Sequence, residues 1–147
     1  MVRGPVEVVA ACEAALLELG DAFASSEVTG SLEEWAAAVG AAQRVIDVAS
    51  AVQDAAIVRL AAIEPEFLED GTVVESHRAL GYASLDAPAI VSGVLATTAV
   101  HAQRRVRTAV RLAGDGPAGS ESETGLGGLH AAMAAGRLDA YRAGVVA

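Results

Sequence analysis

Three histidines, His77, His101 and His130, one cysteine, Cys12, and nineteen acids are the side chains of this 147-residue chain that could bind metal, attack a carbonyl or move a proton. Each chemistry needs its groups at a particular spacing. Zinc held on a helix takes two histidines four residues apart, and these three are scattered through the sequence. Glu64, Glu66, Glu69 and Asp70 gather negative charge without the alternating ligands of a calcium loop. They read as a solvated connector. No serine lies in a Gly-x-Ser-x-Gly turn, and with no lysine in the chain no glycine loop can supply a phosphate-binding lysine. The residues predict a non-enzyme with no cofactor, no metal site and no catalytic residue. The lone cysteine excludes an internal disulfide and asks for no oxidising compartment, so the cytoplasm is the expected location.

Charge placement carries more information. Residues 1–86 have a net charge of -11, residues 87–113 a charge of +4 and residues 114–147 a charge of -2. The acid-free block holds four arginines, all in its second half. On a helix turning about 100° per residue, His101, Arg104, Arg107, Thr108 and Arg111 fall within roughly 60° of Arg104, while Ala102, Val106, Ala109 and Ala113 lie opposite. A short helix, a turn and then a helix with an outward basic face is the layout of a helix-turn-helix pair. His101, Arg104, Arg105, Arg107 and Arg111 are the candidate contacts to double-stranded DNA. The local pattern is partial: Ala96 stands where such turns usually place glycine, and Thr97 where they place an apolar residue. A solvated basic face beside an acidic remainder is the alternative.

The elements that would position this face follow from composition and punctuation. Alanine occurs 34 times and aromatics make up only 3% of the chain, which favours helices packed through small side chains. The first twenty residues, interrupted by Glu7, Glu13 and Glu18, read as a helix and not as a signal peptide. Ser31 and Glu34 form a capping box opening a helix of about thirty residues that Pro65 ends. Along it Leu32, Trp35, Val39, Ala42, Ile46, Ala49, Ala56, Leu60 and Ile63 form a seven-residue seam with Gln53 as its polar intruder. That seam would serve as a bundle core or pair two chains in a homodimer, with its larger residues (Leu32, Trp35, Val39, Ile46, Leu60 and Ile63) as the interaction surface. An acidic connector follows, with an Asp70-Gly71 turn signal and room for a hairpin or a helical turn. Asp86 and Pro88 start a third helix that ends near Ala96, Thr97 and Thr98 mark the next boundary, and a fourth helix runs to Ala113. Residues 114–128, with six glycines, predict a flexible loop before helices over 129–135 and from Asp139 onward. The uncharged interval 87–103 is too short and polar for a membrane span. The fold expected is an all-α bundle of five or six helices in a single domain, 1–147. The last helix is uncapped at its end, as in an N-terminal fragment of a longer protein.

Two blocks, EDGTVVESHRALGYASLDAPAIVSGVLATTAVHAQRRVRTAVRLA and GGLHAAMAAGRLDAYRAGVVA, resemble the actinobacterial 13E12 repeat family. Members of that family carry a helical domain of unknown function, number 222, often followed by an HNH endonuclease domain. The likeness is best marked at Leu85 to Ala89, Arg104 to Leu112, Leu129, Ala132, Met133, Gly136, Leu138, Tyr141 and Arg142. It covers most of Ser31 to Ala147. The HNH residues have no counterpart here, and the glycine-rich loop is longer than in similar chains. The resemblance implies a DNA-associated setting and supplies no catalytic residue.

Two functions follow: a non-catalytic domain that binds or positions DNA through the helix over 98–113, and a helical oligomerisation or protein-interaction module. Either predicts that purified chain does not nick plasmid with or without magnesium, since metal-assisted cleavage needs a positioned cation and a base. Magnesium-dependent nicking that a point substitution abolishes would contradict it.

Overall fold

The computed structural model describes residues 4–25, 28–113 and 126–146. In chain order these form α1 (Pro5–Ala24), α2 (Leu32–Ala61), β1 (Ile63–Phe67), β2 (Val73–His77), α3 (Ala87–Val94), α4 (Ala99–Ala113), α5 (Gly127–Ala134) and α6 (Ala140–Val146). The protein is mostly helical, and the all-helical expectation is modified by a two-stranded sheet. The chain divides into two compact units, Met1–Val39 and Gly40–Ala147.

In the first unit, Pro5 opens α1, where its missing amide hydrogen costs nothing. The Ser31 capping box forms as its sequence dictates. Glu34 N–H donates to Ser31 Oγ at 3.2 Å, and Ser31 N–H donates to Glu34 Oε2 at 2.7 Å. The hydrogen bonds from Ser31 hold the Glu34 carboxyl below its ordinary range. The Phe23 and Trp35 rings meet with centroids 5.7 Å apart.

The second unit contains the core. Ile57, Val58 and Ala61 of α2 pack with Ala87 and Val91 of α3 and with Ala102, Val106, Ala109 and Ala113 of α4. A second cluster joins Ala51 of α2 to Leu112, Met133 and Ala143, so α4 contributes to both. The buried stripe of α2 is therefore Asp47, Ala51, Asp54, Ile57, Val58 and Ala61. It lies one residue, about 100°, around the helix from the seam that apolar periodicity selects. The seam residues Leu32, Val39 and Ile46 are 90%, 71% and 56% exposed, which corrects the bundle-core reading of that seam. Leu60 alone among its large residues packs against the core of the second unit.

The helix also ends earlier than Pro65. Ile63 and Glu64 belong to β1, because the residue before a proline is driven toward extended backbone and Ile63 is β-branched. The returning chain takes the carbonyls at and just past the end of α2: Ser84 N–H donates to Ala61 O at 2.9 Å and Arg78 N–H to Ala62 O at 2.8 Å. β1 and β2 pair antiparallel from Ile63↔His77 to Phe67↔Val73. At their turn Asp70 Oδ1 accepts from Thr72 N–H at 2.8 Å, which holds that carboxyl below its ordinary range, and Gly71 adopts φ +81°. The connector is thus the hairpin of the two forms its sequence allowed.

α3 starts after Asp86, though the Asp86 side chain makes no capping hydrogen bond. Between α3 and α4 the chain turns tightly: Ser92 Oγ donates to Thr97 O at 2.7 Å while Thr97 N–H donates back to Ser92 O at 3.1 Å. Thr98 Oγ1 then accepts from His101 N–H at the start of α4. Of the loop expected over 114–128, residues 114–125 lie outside the described residues, while Gly127 and Gly128 are already helical in α5. Gly136, at φ +64°, separates α5 from α6, and Asp139 Oδ1 caps α6 by accepting from Arg142 N–H at 2.7 Å.

Ala96 sits in the α3–α4 turn at φ +48°, left-handed backbone that an L side chain occupies at a cost of about 1–2 kcal/mol. Glycine removes that cost and returns part of it as unfolded-chain entropy, so Ala96→Gly is expected to stabilise the protein by about 0.5–1 kcal/mol. Urea unfolding checks this, and an unchanged or lowered midpoint would contradict it.

Candidate functional site

α4 is the element in which packing and charge are most sharply separated. Ala102, Val106, Ala109, Leu112 and Ala113 are buried, while His101, Arg104, Arg107 and Arg111 are exposed. Neither α3 nor α4 contains an acid. The exposed side chains therefore share a face on which no carboxylate of their own helix or of α3 offsets the positive charge.

Arg105 is placed differently from the other four candidates. Its Nη2 lies 2.8 Å from Asp54 Oδ1 and donates to Gln53 Oε1 at 3.1 Å. The Asp54 side chain is only 1% exposed, against 29% for that of Arg105. The contact with Asp54 is an ion pair without hydrogen-bond alignment, so this oxygen is held by charge. Burial pushes the Asp54 carboxyl above its ordinary range, and the positive charges of Arg105 and His130 draw it partly back. His130 Nε2 lies 3.1 Å from Ala51 O. A carbonyl only accepts, so Nε2 carries the hydrogen of that bond.

A second buried carboxylate lies seven residues earlier on α2. Asp47 Oδ1 accepts from Gln43 Nε2 at 3.1 Å and from the Ala140 amide at the start of α6 at 3.3 Å. The apolar seam read from the sequence leaves Asp47 and Asp54 out, because periodicity selects apolar positions only. Their seven-residue spacing, in phase with Ala51, Val58 and Ala61, is the signal that would have found them. Gln53, read as an intruder in the apolar seam, is the neighbour that shares Arg105.

The remaining candidates are dispersed. His77 lies in β2, and His130 lies on α5. Glu64 binds Arg78 at 3.0 Å and accepts from the Tyr82 hydroxyl at 3.1 Å, which raises the tyrosine above its usual range. Among the described residues no group of three or more His, Cys, Asp or Glu side chains is placed to hold a metal ion. None of the described helices is long and apolar enough to cross a membrane. No protein-family model matches the chain, no curated protein is similar to it, and no solved structure matches it.

Removing the cation from the buried pair tests its role. Arg105→Met keeps the aliphatic stem and leaves Asp54 without its ion pair, which should destabilise the protein by about 2–3 kcal/mol at neutral pH, below the range for a fully buried pair because Arg105 is partly solvated. Asp54 binds its proton more tightly folded than unfolded. Its contribution to stability is thus complete below the unfolded pKa and is lost as pH rises through the folded value. Loss of Arg105 raises the folded value further, so the deficit of the variant should shrink on acidification toward pH 4. Denaturation of both proteins between pH 4 and 8 measures this, and a pH-independent deficit would contradict it.

Proposed function

We propose that this chain is a non-catalytic helical domain that positions duplex DNA on α4, with His101, Arg104, Arg107 and Arg111 as the contacts. The observation that carries this reading is the acid-free pair α3–α4. Its second helix buries its alanine and valine face and leaves its arginines exposed. The turn between the two helices, with Ala96 at positive φ, supports a helix-turn-helix-like pair, in which the second helix faces the duplex. The resemblance to the helical domain of the 13E12 family supports an HNH-endonuclease-associated setting and enters as context, since function is argued from the site.

Arg105 is left out of the contact set because Asp54 and Gln53 occupy its guanidinium. At most three arginines then neutralise phosphates. With roughly 0.9 per phosphate, the slope of log affinity against log salt should be no steeper than about -3. The acidic residues 1–86, at -11, oppose approach to a polyanion, so binding by the chain is weak and salt-sensitive, in the micromolar nonspecific range.

Fluorescence anisotropy on a labelled duplex tests this between about 50 and 200 mM salt, where screening changes markedly. Arg104→Ala with Arg107→Ala should weaken binding and reduce the slope by about 2, with helicity unchanged because both side chains are exposed. Absence of binding at the lower salt concentration, or equal binding by the double variant, would overturn the proposal.

A further inference from the structure

The first unit lacks what normally holds a helix in place. α1 is twenty residues long and has no buried residue, whereas most helical stability in proteins comes from the packing of an amphipathic face. Its apolar residues are nonetheless ordered along the helix. Val9, Cys12, Leu16, Leu19 and Phe23 recur at alternating spacings of four and three, and all five are exposed.

The positions beside this seam are apolar or small as well, including Val8, Ala15 and Gly20, with Glu13 the exception. Glu7, Glu18 and Asp21 lie outside it. Leu32, Trp35 and Val39 repeat the arrangement at the start of α2, beside Ala36 and Ala38. A stripe that includes both flanks of a seam suits a helix with two neighbours, as in a four-helix bundle, whereas a two-stranded coil needs only the narrow seam. Within this unit of one protomer α1 has a single helical neighbour, the start of α2, met through Phe23 and Trp35.

We propose that the Met1–Val39 unit pairs with the same unit of a second copy of the chain, two α1 helices and two α2 starts closing a four-helix bundle. The stripe matches an apolar surface like itself. Of the acids on α1 and the start of α2, only Glu13 lies beside the seam, so each copy brings one flanking carboxylate to an otherwise uncharged stripe, and a two-fold interface is self-complementary by construction. The area comes close to what a stable interface needs. Eleven large apolar side chains of this unit are exposed, and all but Leu17 and Val28 lie on the stripe. At about half exposure each they can withdraw on the order of 500 Å² before alanines contribute, most of the roughly 800 Å² that each partner gives to a stable interface. This inference is independent of the DNA proposal, which concerns α4.

Sedimentation equilibrium on the whole chain, together with maleimide labelling of Cys12, tests it. The wild type should sediment at twice its 14.8 kDa. Cys12, lying in the stripe, should label about tenfold more slowly in the dimer than at dilutions where the dimer dissociates, as expected for a thiol that reacts only from the open state. Leu16→Glu with Leu19→Glu places carboxylates where the second copy would exclude water. This variant should sediment as a monomer and label at the unprotected rate at every concentration. A monomeric wild type at about 100 μM, a concentration at which even micromolar pairing is nearly complete, would overturn the proposal. So would a dimer that persists in the double variant. Duplex binding by the monomeric variant would leave the α4 reading standing, so the two proposals fail separately.

Discussion

Two carboxylates seven residues apart on α2 constrain how the second unit is built. A buried carboxylate is costly unless partners come to it, and Asp47 and Asp54 are 4% and 1% exposed. Asp47 receives the first amide of α6 and the side chain of Gln43. Asp54 receives Arg105 from α4 and lies within the field of His130 on α5. Three helices thus converge on polar atoms of one stripe of α2. Buried ion pairs seldom stabilise more than well-packed hydrocarbon. The force of this arrangement is positional: turning α2 by one residue would carry both carboxylates away from their partners.

That constraint also explains what could and could not be read from the sequence. Signals acting within a few residues were legible: the Ser31–Glu34 box, the Asp70-Gly71 turn, Thr98 at the start of α4 and Asp139 before α6 all act where local chemistry puts them. The two faces of α4 were legible too, because there the charge pattern and the apolar pattern select opposite sides. On α2 the same method chose the wrong stripe. Periodicity counts an aspartate as a vote for solvent, and only the partners on α4, α5 and α6, distant in sequence, reverse that vote. The ion pair of Arg105 was illegible for the same reason, since nothing nearby in the chain announces Asp54. The strand over Ile63–Phe67 needed the returning β2 to define it.

The residues of the last two helices and the turn between them divide by role. Met133 is buried in the second core cluster, with Leu129 and Leu138 packed against it, and Gly136 supplies left-handed backbone. Tyr141 is exposed, and Arg142 pairs with Asp139 beside the start of α6. The buried members of this set describe how the C-terminal helices seat on α2. The functional proposal rests on the exposed arginines of α4, which the packing of Ala102, Val106 and Ala109 leaves on the opposite side of that helix.

The core of the second unit is lined with alanine: Ala61, Ala87, Ala102, Ala109 and Ala143 are each fully buried. Interiors are packed to near-crystalline density, and a methyl group has no rotamer with which to make room. Backbones in contact through methyl groups have almost no slack, so one added methylene must push a whole helix instead of displacing a side chain. The exposed arginines of α4 therefore inherit the stiffness of the surface beneath them. The helix that spaces them behaves as a ruler whose divisions are set by alanines on its other side.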